Sequence, residues 1–168
     1  MKPCSTCYKL EKKELAPLKT VMEDYMKFNN FDDDWRARKN GKNRPIRYLE
    51  YTLSNICNAD CATCGSSWSS KWEELDRKFG RKVFPMVKVE DKQIAKIEKV
   101  LYGLEILTIK GGEPFADIRN LRILKTLAEV NPNCHVDIIS NFHAITPEAI
   151  EILANMKKVF CSASIDAV

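Results

Sequence analysis

The chain has 168 residues, 45% hydrophobic and 30% charged, which is the composition of an ordinary globular domain with its own core. Its formal net charge of +4 arises from 27 basic and 23 acidic residues, so the sequence favours a mildly basic surface over a nucleic-acid interface. No apolar run approaches the ~20 residues of a membrane span, and the N-terminus lacks the apolar stretch of a signal peptide. We therefore predict a cytoplasmic protein without membrane or nucleic-acid partners.

The first 45 residues are predicted to form a helical segment that also carries cysteines. A Cys-x2-Cys pair, Cys4 and Cys7, comes first and is half of a metal site. Pro17 suits the first turn of a helix, and apolar residues then recur at helical spacing. We interpret residues 1–45 as a segment separate from a core domain of residues 46–168.

Three cysteines follow the first predicted strand, the extended apolar run from Ile46 to Leu53. Cys57, Cys61 and Cys64 read Cys-x3-Cys-x2-Cys in a loop without helix or strand pattern. Structural zinc requires four protein ligands and a closed shell. An iron-sulfur cluster held by three cysteines leaves one iron open for a further ligand, so this count favours a reactive cluster.

The chain contains seven cysteines, and this odd number argues against a closed disulfide framework. Five of them lie in the two tight groups, which in a reducing compartment indicates metal or cluster ligation. Cys134 and Cys161 are isolated among apolar neighbours. We predict that both are small buried hydrophobic residues in or beside strands.

Strands and helices alternate from residue 46 onwards. An amphipathic helix is predicted to begin at Ser66 and Ser67, with an aromatic core stripe at Trp68, Trp72, Leu75 and Phe79. Apolar spacing then predicts helices at 94–101, 118–127 and from Pro147, and strands at 104–109, 135–140 and 159–165. This order predicts an α/β domain with a parallel sheet, right-handed crossovers and outer helices.

Polar signals gather where the predicted strands end. Functional residues of parallel α/β sheets lie on loops at the carboxyl ends of the strands. The cysteine loop occupies one such position, and the others are Gly111-Gly112-Glu113-Pro114, Ser140-Asn141, and Ser164 with Asp166. The two glycines let a backbone approach a ligand closely, and either the Glu113 carboxylate or main-chain carbonyls would then meet an ammonium group. Taken alone, this segment is more typical of a plain strand-to-helix turn.

With both motifs in place, the chain resembles the radical S-adenosylmethionine (SAM) enzymes. Cys57, Cys61 and Cys64 match the three-cysteine motif of that family, and Gly111 to Pro114 match its Gly-Gly-Glu-Pro motif. The resemblance implies a partial (β/α)6 TIM-like barrel, with about the first four units present. It also implies a 4Fe-4S cluster on the three cysteines, with SAM chelated by the open iron.

The resemblance further implies that the Gly-Gly-Glu-Pro edge binds the methionine amino group. Ser140, Asn141, Ser164 and Asp166 would lie near the carboxylate and ribose of SAM. One electron from a flavodoxin or ferredoxin type of donor would cleave SAM to methionine and a 5'-deoxyadenosyl radical. That radical would abstract hydrogen from an unknown substrate such as a peptide or small metabolite.

Two departures from the family pattern are visible. Thr63 stands where the family often has an aromatic residue, so packing against the adenine would come from elsewhere. The family core usually has six strand-helix units, whereas four strands are predicted here, and the last would present an unpaired edge. The Cys4 to Glu11 stretch is similar to the end of a SPASM or Twitch-type module, in which such a pair completes an auxiliary cluster. We therefore expect this chain to be a piece of a longer protein.

Two alternatives remain open at this point. Cys4, Cys7, Cys61 and Cys64 could form a closed structural zinc site, which would leave Cys57 unused. The chain could also hold an iron-sulfur cluster without catalysing a reaction. No catalytic residue is assigned beyond the cluster, and His135, His143 and Lys110 are interpreted as surface residues.

Overall fold

The computed structural model describes residues 45–84 and 89–165, together with residues 6, 9–10, 12–16, 20–22, 24 and 27. The chain divides into two compact units, Met1–Arg44 and Pro45–Val168. The architecture below is that of the second unit. Cys4, Cys7 and Asp166, which the sequence singles out, lie outside the described residues.

Four parallel strands form one sheet in the order β1-β2-β3-β4. They are β1 (Tyr48–Tyr51), β2 (Ile106–Ile109), β3 (His135–Ser140) and β4 (Lys158–Ala163). The helices of this unit are α1 (Ser70–Lys78), α2 (Asp91–Glu98), α3 (Ile118–Val130) and α4 (Pro147–Ala154). Short 3-10 turns occupy Leu101–Gly103 and Pro114–Ala116. The predicted α/β class with a parallel sheet is confirmed.

Local sequence explains where the helices begin. Asp117 caps α3 by accepting the N–H of Arg119, and Thr146 caps α4 by accepting the N–H of Ala149. Pro147 occupies the first turn of α4, as its missing N–H and fixed φ predict. Strands β2 and β3 are therefore each followed by a helix whose start is fixed by a side-chain cap.

One face of the sheet carries the apolar core. Tyr51, Ile109 and Ile138 stand in register across β1, β2 and β3, so their side chains share this face. They pack with buried residues of the helices, which are Ile94, Ile123, Leu124, Leu127, Ile152 and Leu153. Because each fully buried aliphatic side chain contributes about 1.5–3 kcal/mol, this layer is the main source of stability.

The opposite face of the sheet carries polar groups that hydrogen-bond across β1, β2 and β3. Lys110 Nζ donates to Glu50 Oε2 at 2.8 Å, and the Tyr48 hydroxyl donates to the same oxygen at 2.9 Å. His135 Nε2 lies 3.0 Å from Asp137 Oδ1, and the Thr108 hydroxyl lies 3.4 Å from Asp137 Oδ2. We call the set of Tyr48, Glu50, Thr108, Lys110, His135 and Asp137 the polar face.

The predicted aromatic core stripe is wrong. Helix α1 starts at Ser70, four residues later than predicted from Ser66, because Ser69 supplies the cap. Trp68 therefore lies in the preceding turn with 55% of its surface exposed, and α1 has no buried residue. Phe79 ends the helix 62% exposed, with its ring beneath the cations of Lys78 and Arg81.

The two isolated cysteines differ in burial. Cys134 is buried at the start of β3, as predicted, and burial raises the pKa of its thiol to about 12. The prediction of a buried Cys161 is wrong, because this thiol lies on β4, the edge strand, and is exposed. An edge strand has a neighbouring strand on one side only, so its side chains are flanked by the side chains of one strand instead of two.

Candidate metal centre at the carboxyl ends of the strands

The cysteine loop begins immediately after β1, and the buried side chain of Asn55 holds the start of the loop by hydrogen bonds. The side-chain amide of Asn55 donates to the carbonyl of Ser66 at 3.0 Å and to the carboxylate of Glu73 at 2.9 Å. The carbonyl of Asn55 accepts the N–H of Ser70 at 2.6 Å. Asn55 thus ties the start of the loop to both ends of the turn that leads into α1.

The first turn of α1 holds the backbone of the loop through three side chains. The Ser69 hydroxyl donates to the carbonyl of Ala59 at 2.7 Å. The indole N–H of Trp72 donates to the carbonyl of Cys61 at 2.8 Å. Ser70 accepts the N–H of Cys57 at 3.1 Å and lies 3.3 Å from its carbonyl. Every second peptide of the loop is therefore fixed to the helix.

The second and third cysteines are joined by a tight turn. The N–H of Cys64 donates to the carbonyl of Cys61 at 3.0 Å, which reverses the chain between them. Cys61 is exposed, whereas Cys57 and Cys64 are half-buried. Within residues 45–84 and 89–165, no three Cys, His, Asp or Glu side chains are placed to hold a metal ion.

The two glycines after β2 make room for the cysteine loop. Gly111 has φ +86°, and a Cβ on it would lie 1.8 Å from Cγ2 of Thr52. Gly112 has φ +51°, and a Cβ there would lie 2.2 Å from the carbonyl oxygen of Ile56. Both positions require glycine on conformational and steric grounds. The close approach that the sequence predicts is thus an approach of the cysteine loop itself.

Glu113 continues this contact and is almost completely buried. Its N–H donates to the carbonyl of Ile56 at 2.7 Å, which joins it to the cysteine loop. Its carboxylate accepts the Ser140 hydroxyl at 2.6 Å, the N–H of Asn141 at 2.8 Å and the N–H of Phe115 at 3.1 Å. Hydrogen bonds with three donors offset the cost of burying this charge. Pro114 is buried beside it at the start of the 3-10 turn.

The end of β3 meets both motifs. The Asn141 amide donates to the side-chain oxygen of Asn58 at 2.9 Å, within the cysteine loop. Phe142 follows with φ +60°, a conformation that bulky residues rarely adopt, and its ring lies 6.0 Å from that of Phe115. The carbonyl of Ser140 accepts the N–H of Ser164, which continues the ladder beyond β4. The loops after β1, β2 and β3 are therefore mutually hydrogen-bonded.

An ion pair between buried Asp117 and half-buried Arg119 lies beside this edge. Arg119 donates two hydrogen bonds to the Asp117 carboxylate, at 2.8 and 2.6 Å, and the Ser54 hydroxyl donates another at 2.7 Å. Burial alone would raise the pKa of Asp117, but the bonds from Arg119 and Ser54 outweigh burial and lower it. The hydroxyl of neighbouring Tyr51 is buried without a hydrogen-bond partner among the described residues.

Most of the polar residues at this edge were predicted from the sequence, but the side chains that hold the cysteine loop in place were not. The structure brings together Glu113, Ser140 and Asn141, and it places Ser164 at the end of the neighbouring strand. The side chains that hold the loop, namely Asn55, Asn58, Ser69, Ser70 and Trp72, were not singled out for that role. Their polar side chains carry no spacing signal, although the serines at the start of a helix were recognisable as caps.

Among residues 45–84 and 89–165 and the other described positions, the helices are all too short or too polar for a membrane span.

Comparison with known proteins agrees with the geometry. A search of curated proteins gives no match. The family model described as Radical SAM superfamily matches residues 51–168, which include the cysteine loop, the glycine pair and strands β2 to β4. The chain belongs to the radical SAM superfamily.

Proposed function

We propose that this chain functions as a radical SAM enzyme, with a 4Fe-4S cluster on Cys57, Cys61 and Cys64. When bound, the cluster supplies the electron that cleaves SAM to methionine and the hydrogen-abstracting 5'-deoxyadenosyl radical. The single observation that carries this proposal is the contact between the two motifs. Gly112 leaves no space for a side chain against Ile56, and Glu113 hydrogen-bonds to the same residue.

The donor set suits iron and sulfur. Three thiols within eight residues are soft ligands, which suit iron-sulfur clusters as they suit zinc and copper(I). Cluster binding requires these side chains to turn towards one another, because their present positions do not form a metal site. The loop backbone is already held by α1, so we expect this change to involve the side chains.

The residues after β2 would hold the amino group of SAM through the main chain. The Glu113 carboxylate already accepts three hydrogen bonds, so the carbonyls of Gly111 and Gly112 are the acceptors that we assign to the ammonium. Ser140 donates to Glu113 and is also a proposed contact to the carboxylate or ribose of SAM. Asn141, Ser164 and Asp166 are the proposed contacts to the carboxylate and ribose.

The remaining assignments are parts of the same proposal. Cys4 and Cys7 would complete an auxiliary cluster in an N-terminal Twitch or SPASM-type module of residues 1–45. A flavodoxin or ferredoxin type of donor would reduce the cluster in the cytoplasm. The substrate would be a peptide or small metabolite, and the polar face of the sheet provides hydrogen-bonding groups for such a molecule.

Anaerobic reconstitution with iron and sulfide tests the ligand assignment. We expect a brown protein with an iron-sulfur absorption band, and we expect no cluster in the Cys57→Ala, Cys61→Ala or Cys64→Ala variant. Cys161→Ala is the matched control, because this exposed thiol lies outside the loop and should leave the band unchanged. A colourless wild-type protein that binds zinc tightly would favour the structural zinc site instead.

A further inference from the structure

The peptides of the cysteine loop are held in an alternating orientation. The carbonyls of Cys57, Ala59 and Cys61 all lie within hydrogen-bonding distance of side chains from the first turn of α1. In a trans peptide the C=O of one residue and the N–H of the next point in opposite directions. Fixing these three carbonyls towards the helix therefore points the N–H groups of Asn58, Asp60 and Ala62 away from it.

These three N–H groups are unused within the described part of the chain. None of them donates to any backbone or side-chain acceptor there, whereas the N–H groups of Cys57 and Cys64 do. Successive backbone N–H groups on one side of a loop form an anion-binding concavity. The loop thus presents donors, and no acceptor from these peptides, on the side opposite α1.

We propose that Ser69, Ser70 and Trp72 are positioning residues that direct the N–H groups of Asn58, Asp60 and Ala62 at the sulfurs of the cluster. This inference rests on the proposed function, because it requires the cluster to be bound by the same loop. Hydrogen bonds to cluster sulfurs stabilise the more negative, reduced form and so raise its reduction potential. The first turn of α1 therefore tunes the cluster without touching it.

Trp72 is the decisive residue of the three. Its indole bonds to the carbonyl of Cys61, which also accepts the N–H of Cys64. One oxygen thus fixes both the orientation of the 61–62 peptide and the turn that joins two cluster ligands. Loss of the indole N–H leaves the N–H of Cys64 as the remaining donor to that carbonyl and so loosens the peptide, while a phenylalanine ring retains most of the packing.

The test compares Trp72→Phe with Trp68→Phe in the reconstituted protein. Trp68 is the matched control, because it lies four residues earlier, in the turn before α1, is 55% exposed and makes no hydrogen bond through its indole within the described residues. We expect dithionite titration to give a more negative midpoint potential for Trp72→Phe. We also expect iron release to a chelator to be about fivefold faster, as one lost hydrogen bond predicts. Trp68→Phe should match the wild type in both measurements.

Ser69→Gly provides a second variant, because glycine still serves as a helix cap while the bond to Ala59 is lost. It should shift the potential in the same direction, with unfolding in urea close to that of the wild type. Equal potentials and iron-release rates in wild type, Trp72→Phe and Ser69→Gly would overturn the positioning role alone. A wild-type protein that assembles no cluster would overturn the proposed function, and this inference with it.

Discussion

Glu113 shows how a single side chain can join two motifs. The Gly-Gly-Glu-Pro segment allows its carboxylate either to bind a ligand or to serve the fold, and the sequence does not decide between them. The structure gives that carboxylate three internal donors and almost no exposure. At this position the glutamate fixes the backbone whose carbonyls we assign to SAM.

Replacing Glu113 by glutamine should destabilise the fold. The new amide would point an N–H group at a backbone donor, either the N–H of Asn141 or the N–H of Phe115, so one of these two N–H groups would lose its acceptor. We expect a loss on the order of 2–3 kcal/mol in the free energy of unfolding, measured with urea. Glu74→Gln, on the exposed side of α1, should change it by less than about 0.5 kcal/mol. Equal stabilities of the two variants would contradict this role for Glu113.

The ion pair of Asp117 and Arg119 should make the free energy of unfolding depend on pH. Its folded-state pKa lies below that of an unfolded aspartate, about 3.9, so the ionised pair stabilises the fold at neutral pH. This contribution is lost as the pH falls below about 4. Asp117→Asn keeps the helix cap but removes the charge, and should cost on the order of 1–2 kcal/mol at pH 7. The difference from wild type in urea unfolding should shrink at pH 3, and a difference independent of pH would contradict the assignment.

Among the elements, the loop after β2 illustrates why two glycines are adjacent. Both have positive φ, and in both a side chain would strike the cysteine loop. Sequence reasoning predicted close backbone approach at this point, because glycine after a strand is typical of it. It could not identify the approaching partner, since Thr52 and Ile56 are more than fifty residues away in the chain.

Comparing Gly112→Ala with Gly80→Ala separates the cost of a steric collision from the cost of a left-handed backbone conformation. Gly80 has φ +64° with open space around it, so alanine there should cost only the left-handed strain, about 1–2 kcal/mol. Gly112→Ala adds a collision with the carbonyl of Ile56, and we expect a further 1–3 kcal/mol, roughly the cost of overpacking. Urea unfolding measures both. Equal losses in the two variants would mean that the cysteine loop does not press on Gly112.

Helix α1 shows where periodicity misleads. The spacing of Trp68, Trp72, Leu75 and Phe79 satisfies a helical stripe, yet the helix begins after Trp68 and ends before Phe79. The first residue of α1 depends on which serine acts as the N-cap. Four serines lie near this point, so the sequence does not identify the cap. Helices α3 and α4 each have a clear cap, and their predicted starts agree with the structure, whereas α2 begins three residues before the predicted 94–101.

At the scale of the whole unit, the order of strands was the most predictable feature. Alternating strands and helices allow few topologies, and the observed parallel order β1-β2-β3-β4 is the simplest of them. That order alone brings the cysteine loop, the glycine pair and Asn141 to one edge. The polar face was not predicted, because buried parallel strands usually read as apolar, and its residues connect only across neighbouring strands.

We propose that the three cysteines and the glycine-bearing edge together support reductive cleavage of SAM. The most direct measurement is the amount of 5'-deoxyadenosine formed by anaerobically reconstituted protein after incubation with SAM and dithionite. We predict that the wild type forms 5'-deoxyadenosine and that Cys57→Ala does not. A wild-type protein with a fully assembled cluster that forms no 5'-deoxyadenosine would contradict the claim for this chain.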